Sequence, residues 1–127
     1  MKRAALGAVL LLVLYVGVQI ASYRAAADDT NRRVLAKTSY WRSVVNASVP
    51  VGENRKEAEI WLAKTFPEHA SLGFYDQHQN RLKAMADTIE VTKPDLVCVS
   101  WTILIDIQLD ADGKVASRDV TYIGTCL

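Results

Sequence analysis

A chain of 127 residues with a net charge of +1 and 50% hydrophobic residues is long enough for one domain. Because no cluster of lysine and arginine alternates with aromatic residues, the sequence predicts no nucleic-acid partner. It also contains no glycine-rich phosphate loop, no Gly-x-Ser-x-Gly turn and no CxxC or HExxH motif. We therefore predict no catalytic residues, no cofactor and no metal site.

The N-terminal segment combines a basic start with a long apolar run. Lys2 and Arg3 precede residues 4–21, in which Gln19 is the one polar interruption. A helix rises about 1.5 Å per residue, so this run would be about 27 Å long, close to the thickness of the hydrocarbon core of a bilayer. We predict a signal anchor or transmembrane helix over residues 1–24, with residues 4–21 in the membrane.

The same stretch also resembles a cleavable secretory signal. Ala25 to Ala27 matches an A-x-A cleavage site, so the alternative is release into the periplasm after cleavage following Ala27. Five basic residues from Arg24 to Arg42 argue for a cytoplasmic C-terminal part. The short basic N-terminus and the even number of cysteines argue for an oxidising compartment. We predict a single-pass protein of the bacterial inner membrane with its C-terminal domain in the periplasm.

A second helical pattern covers residues 25–48. One stripe at helical spacing contains Val34, Leu35, Thr38, Trp41 and Val45, with charged residues elsewhere. The pattern predicts a helical juxtamembrane stalk, but it is equally typical of a helix that packs on the domain or on the membrane surface. Tyr40 and Trp41 could also form a partner-binding patch.

Residues 49–127 are predicted to form one small extracytoplasmic domain. Asn54 and Glu57 have the spacing of a capping box and predict the start of an amphipathic helix from Arg55 to about Phe66. The apolar face of this helix consists of Ala58, Trp61, Leu62 and Phe66. We expect this face to pack on a sheet.

Signals conflict between Arg81 and Val91, where the apolar residues fit either a helix or an alternating strand. We predict a strand, because two paired strands alone are marginally stable and need a neighbour. His69 and His78 lie with Asp76 on the preceding polar stretch. Their spacing does not bring together a metal ligand set or a nucleophile and its base, so we interpret this stretch as a solvated loop.

The C-terminal part has the pattern of a long β-hairpin. Apolar and polar residues alternate from Val97 to Leu109, and a return strand begins at Val115. Between them, the residues from Asp110 to Lys114 include the aspartate and glycine typical of turns.

A three-residue loop in this turn would set the pairing of the two strands. In that register Cys98 faces Cys126, close enough for a disulfide after modest adjustment. Asp106 faces Arg118 in the same register, which predicts a cross-strand ion pair.

A β-bulge near Ala116 to Ser117 is the alternative. It would turn Val120 and Tyr122 towards the core, but it would also send the two cysteines to opposite faces of the hairpin. Of these two patterns, we predict the register that forms the disulfide.

A capped helix followed by a meander with an Asp/Gly turn is similar in order to small exported helix-on-sheet modules of bacterial envelopes. Residues from Gly52 to Phe66 and from Ile103 to Val120 carry this likeness of architecture, and no residue motif ties the chain to a family. We predict an α+β fold in which an N-terminal membrane helix precedes a small antiparallel β-meander of three to four strands, packed by one amphipathic helix.

The function predicted from these features is a membrane-anchored, non-enzymatic protein-binding module in the periplasm. It would be either an accessory of envelope assembly or an immunity-type inhibitor, with a protein partner whose identity the sequence does not specify. The alternative function is that of a structural stalk subunit of an inner-membrane complex.

Overall fold

Two helices and four strands follow each other along the chain in the computed structural model, which describes residues 2–69, 75–76, 80–91 and 98–126. They are α1 (Lys2–Ser48), α2 (Arg55–Thr65), β1 (Tyr75–Asp76), β2 (Arg81–Glu90), β3 (Cys98–Leu109) and β4 (Val115–Cys126). The strands form an antiparallel sheet in the order β1-β2-β3-β4. The α+β class is thus confirmed, and the stretch with conflicting signals is a strand. His78, which belongs to the predicted solvated loop, lies outside the described residues.

Helix α1 is continuous over 47 residues, which corresponds to about 70 Å at 1.5 Å per residue. Its N-terminal part is long and apolar enough to cross a membrane, and none of that stretch is buried inside the protein. Every large apolar side chain from Val9 to Ile20 is exposed. An exposed apolar surface of this extent marks an interaction site, so α1 is a candidate membrane-spanning helix.

The C-terminal part of α1 buries one stripe of side chains. Thr30, Val34, Thr38 and Val45 are each at most 4% exposed, and their spacing keeps them on one side of the helix. The Thr30 hydroxyl donates to the carbonyl of Ala26 at 3.0 Å, and the Thr38 hydroxyl donates to the carbonyl of Val34 at 2.8 Å. Both hydroxyls are therefore buried with a hydrogen-bond partner, and this part of α1 packs against the domain.

Helix α2 begins with the predicted cap. The backbone N–H of Glu57 donates to Oδ1 of Asn54 at 3.0 Å, and Asn54 has the extended backbone of an N-cap residue. The helix buries Ala58 and Leu62, and Phe66 at its C-terminal end is also buried. The apolar face therefore packs as expected.

Both helices pack on the same face of the sheet. On β3, Ile103, Ile105 and Ile107 alternate along this face and are fully buried. The helices and neighbouring strands complete this core with Val34, Val45, Val49, Ala58, Leu62, Phe66, Leu82, Ala84, Ile89, Leu109, Val115 and Val120. The opposite face carries mostly polar side chains together with exposed apolar ones such as Ile123, which is 57% exposed.

Two β-bulges allow the hairpin both to bury Val120 and to form the disulfide, whereas one bulge alone would allow only the first. The first inserts Ala116 into β4, where the bulge alternative located it, and it brings Val120 into the core at 1% exposure. The second inserts Val99 into β3 and shifts the register back by one residue, so that Cys98 again faces Cys126. The two sulfur atoms are 1.98 Å apart and form a disulfide.

The predicted ion pair between Asp106 and Arg118 is wrong. Because the bulge at Ala116 shifts β4 by one residue, Asp106 faces Asp119, and Arg118 faces Ile107 on the helix-covered side. The two side chains therefore lie on opposite faces of the sheet.

Each of these two residues has another partner. Asp106 forms an ion pair with Arg81 of β2, with Nη1 and Oδ2 3.1 Å apart. Arg118 donates from Nε to Oδ1 of Asn46 on α1 at 2.8 Å. The charge pairing of β3 is therefore with β2, and Arg118 connects β4 to the helix.

Candidate functional site

The outer edge of β4 is the candidate interaction surface, since an edge strand presents backbone groups that have no partner within the sheet. At its start this edge is closed by the loop between the helices. The N–H of Val115 donates to the carbonyl of Glu53, and the N–H of Gly52 donates to the carbonyl of Val115, both at 2.8 Å. The loop thus acts as a short additional strand at this point.

Side chains close the edge in the middle of β4. The N–H of Val120 donates to Oδ1 of Asp119 at 2.8 Å, and the carbonyl of Val120 accepts a hydrogen bond from Nη2 of Arg42 at 2.9 Å. Arg42 and Asp119 also form an ion pair at 3.7 Å. Both outward backbone groups of Val120 are therefore satisfied without a neighbouring strand.

Beyond Val120 the edge has no such closure. Residues in an antiparallel pair point their backbone groups alternately towards and away from the partner strand. The groups of Tyr122 and Gly124 therefore point outwards like those of Val120, and no residue in the described part of the chain forms a backbone hydrogen bond with them. We call the stretch Thr121–Cys126 the free edge. None of its six residues is charged.

The disulfide holds the end of the free edge on β3. Gly124 lies so close to it that an added Cβ would be 3.0 Å from Sγ of Cys126 and 3.1 Å from Cζ3 of Trp101. The Trp101 ring in turn meets the ring of Tyr122 edge to face, with centroids 5.7 Å apart. The end of β4 is therefore fixed by a covalent bond and by aromatic packing.

The other side of the sheet is closed by the same devices as the middle of β4. On β2, Oδ1 of Asp87 accepts the N–H of Thr88 at 3.0 Å, and Nη2 of Arg33 donates to the carbonyl of Glu90 at 3.1 Å. Lys37 forms an ion pair with Asp87 at 2.9 Å, and the hydrogen bond and negative charge of Asp87 raise the pKa of Lys37. Basic residues of α1 thus reach both sides of the sheet.

A groove of about 760 Å³ lies between α1 and β2 and contains the predicted aromatic patch. Tyr40 is 58% exposed there, whereas Trp41 is partly buried against Phe66, with ring centroids 5.2 Å apart. The ion pair of Lys37 and Asp87 forms part of the lining. The patch is therefore divided between one exposed ring and one ring that belongs to the packing of the core.

The structure joins one predicted pair of site residues and separates the other. Cys98 and Cys126 are brought together, and Asp106 and Arg118 are not. Within the described ranges, no three histidine, cysteine, aspartate or glutamate side chains converge in a way that could hold a metal ion. The location of the free edge at the end of β4 was not predicted, although an uncharged run at the end of a long strand was its visible signal in the sequence.

A comparison of the chain with models of protein families, with characterised proteins and with solved structures finds no match.

Proposed function

We propose that the chain is a membrane-anchored, non-enzymatic module that binds a protein partner on the periplasmic side of a bacterial inner membrane. The observation that carries this proposal is the free edge of β4. Strand addition to such an edge is a common mode of protein recognition, in which backbone hydrogen bonds supply affinity and alternate side chains supply specificity. The rest of β4 is interrupted by the closures at Val115 and Val120, so Thr121–Cys126 is its longest stretch without closure in the described part of the chain.

The anchor supports the proposal by giving this stretch a defined position. Helix α1 contains the candidate membrane span and also contributes Val34 and Val45 to the domain core. A domain built on the same helix as its anchor cannot rotate independently of it. The free edge is therefore presented to the membrane surroundings in one orientation.

Two roles fit a module of this kind, an accessory of envelope assembly and an immunity-type inhibitor of a toxin that acts in the periplasm. Both use the same property, a single docking surface held next to the membrane. The disulfide between Cys98 and Cys126 suits an oxidising compartment.

Site-specific photo-crosslinking in intact cells tests the proposal. A photo-reactive residue replaces Ile123 on the free edge or Gln108 on the exposed sheet face, and Lys56, which is exposed on α2, serves as the matched control position. We expect a discrete crosslinked product from at least one sheet position and none from position 56. Equal, diffuse labelling from all three positions would contradict a binding module.

The structural stalk subunit is the competing function, and the continuity of α1 is the observation that favours it. Replacing residues 4–21 by an unrelated apolar span of equal length separates the two functions. A binding module keeps its crosslinked product, because the sheet is unchanged. A subunit recognised through its membrane helix loses its partner.

A further inference from the structure

We infer that the partner of the free edge is an extended segment of a second membrane protein, located next to that protein's own transmembrane helix. This inference rests on the proposed function and specifies the kind of partner. It follows from where the free edge lies on α1, from the direction of β4 and from the absence of charge on its last six residues.

The free edge lies at the end of the domain that is nearest to the candidate span. Tyr122 lines a small cavity together with Ala27 and Val34 of α1. Ala27 follows Ala21, the last residue of the apolar run, by six residues, or about 9 Å along a helix. Val34 follows Ala21 by 13 residues, or about 20 Å, so the cavity beside Tyr122 lies about 9–20 Å beyond the end of the apolar run.

Strand β4 runs alongside α1 in the opposite direction. Nearest to the span, Tyr122 shares a cavity with Ala27 and Val34. Further along α1, Val120 is hydrogen-bonded to Arg42 and Arg118 to Asn46. Val115 is hydrogen-bonded to Gly52, which follows the end of α1. The strand therefore points along the helix towards the membrane, and its last residues are the closest to the bilayer.

This direction excludes a second copy of the chain as the occupant. Two identical edges related by a twofold axis pair antiparallel. Because β4 runs alongside its own anchor, antiparallel pairing would point the two anchors in opposite directions. Two chains in one membrane cannot adopt that arrangement, so the strand that pairs with the free edge comes from a different polypeptide.

The position and chemistry of the free edge define that polypeptide. A strand that pairs with Tyr122 and Gly124 lies within about 20 Å of the end of the apolar run and runs alongside α1, as an extended segment can where it leaves a transmembrane helix. Its side chains would alternate between the neighbourhood of Tyr122, on the helix-covered face, and that of Ile123, on the exposed face. With no charge on the free edge, the matching segment is uncharged and rich in β-branched or aromatic residues.

The test identifies the peptide that is crosslinked by the full-length chain in intact membranes. A photo-reactive residue replaces Ile123, and the product is analysed by mass spectrometry. The expected product joins this position to a membrane protein within about ten residues of a transmembrane helix, the reach of an extended segment at about 3.3 Å per residue. Joining to a second copy, to a lipid or to a soluble protein would overturn the inference.

A pair of substitutions at Tyr122 tests whether the backbone makes the contact. Tyr122→Pro removes the outward N–H and leaves the hydrogen bonds to β3 in place, whereas Tyr122→Val keeps the N–H and removes only the ring. We expect the proline variant to lose the crosslink by about tenfold or more and the valine variant to lose much less. Equal losses in both variants would contradict strand pairing. A cooperative urea unfolding transition, followed by tryptophan fluorescence, reports that each variant is folded.

The outcomes separate this inference from the proposed function. A specific crosslink from position 108 with none from position 123 would leave a binding module standing and would refute the role of the free edge. The absence of a specific product from both positions would count against this inference and also against the proposed function. Because the crosslinking arm keeps the natural backbone of β4, its result does not depend on whether the proline variant folds.

Discussion

Removal of the disulfide between Cys98 and Cys126 should destabilise the domain by about 3.6 kcal/mol. The two residues are 28 positions apart, and closing a loop of that length removes about 12 cal/mol/K of entropy from the unfolded chain. At 25 °C this entropy corresponds to about 3.6 kcal/mol in the free energy of unfolding. The free energy of unfolding of an ordinary domain is about 5–15 kcal/mol, so the loss would be a large fraction of it.

The measurement uses the double variant Cys98→Ser/Cys126→Ser as the full-length chain in mild detergent micelles. Urea unfolding can be followed by tryptophan fluorescence, because Trp41, Trp61 and Trp101 all lie in or next to the core. Trp101 is also close to the disulfide and to Gly124, so its signal reports on the end of β4 directly.

Reduction of the unmodified chain is the matched control. The reduced chain and the double variant should show the same loss of stability within about 1 kcal/mol, because both lack the same loop constraint. A loss below about 1 kcal/mol in both would refute the reasoning, since it would mean that the hairpin is already closed in the unfolded ensemble. A loss in the double variant alone would place the effect in side-chain packing instead.

Three further substitutions test other parts of the structure by the same unfolding assay. Gly124→Ala should lower the free energy of unfolding by about 1–3 kcal/mol, because its Cβ would lie 3.0 Å from Sγ of Cys126 and 3.1 Å from the Trp101 ring. An unchanged free energy of unfolding would show that β4 can move away from these atoms. Leu62→Ala should cost about 2–5 kcal/mol, because Leu62 is 0% exposed in the core, whereas Ile60→Ala at a 50% exposed position of the same helix should cost far less. Asp87→Asn should cost less than about 1 kcal/mol, since the Lys37 side chain is 52% exposed. The pKa of Lys37 is raised in the folded state, so this contribution is complete below the ordinary lysine pKa of 10.5 and disappears as the pH rises through the higher folded value. The difference between Asp87→Asn and the unmodified chain should therefore vanish at strongly alkaline pH, and a difference that persists there would contradict the ion pair as its cause.

The hairpin shows how far local pattern can predict register. Alternation along β3 identified its buried face correctly, and the polar residues of β4 correctly indicated a bulge near Ala116. The disulfide and the bulge seemed incompatible only because a single bulge was considered. The second bulge at Val99 restores the facing of the cysteines, and it has no sequence signal of its own, because it compensates for a shift about nine pairs away.

The conflicting signals in β2 have a physical explanation in the same kind of irregularity. Leu82 and Ala84 face the core at a spacing of two, after which a bulge at Ala86 moves the inward positions to Asp87 and Ile89. The inserted residue changes one spacing of the inward positions from two to three, and Met85, which is 45% exposed, adds an apolar residue at helical spacing from Leu82 and Ile89. The choice between strand and helix could therefore not be made from periodicity and depended on the need for a third strand.

The packing of α1 was only partly visible in the sequence. The buried stripe includes Thr30 and Thr38, whose hydroxyls are satisfied by the helix itself, and polar residues of this kind dilute an apolar pattern. Leu35, which fits the predicted stripe, is instead 48% exposed. Because a stalk and a packed helix need similar propensities, only the tertiary contacts separate them.

The position of α1 across one face of the sheet explains why the two sides of the sheet are closed in the same way. A helix that crosses the sheet face leaves both sides within reach of its long basic side chains, and α1 uses Arg33 and Lys37 on the β2 side and Arg42 on the β4 side. These contacts reach only as far as the helix lies over the sheet. Next to Tyr122, α1 contributes Ala27, Thr30, Asn31 and Val34, none of which is basic, and the free edge begins there. The open stretch of β4 therefore lies at the end of the sheet that is nearest to the candidate membrane span.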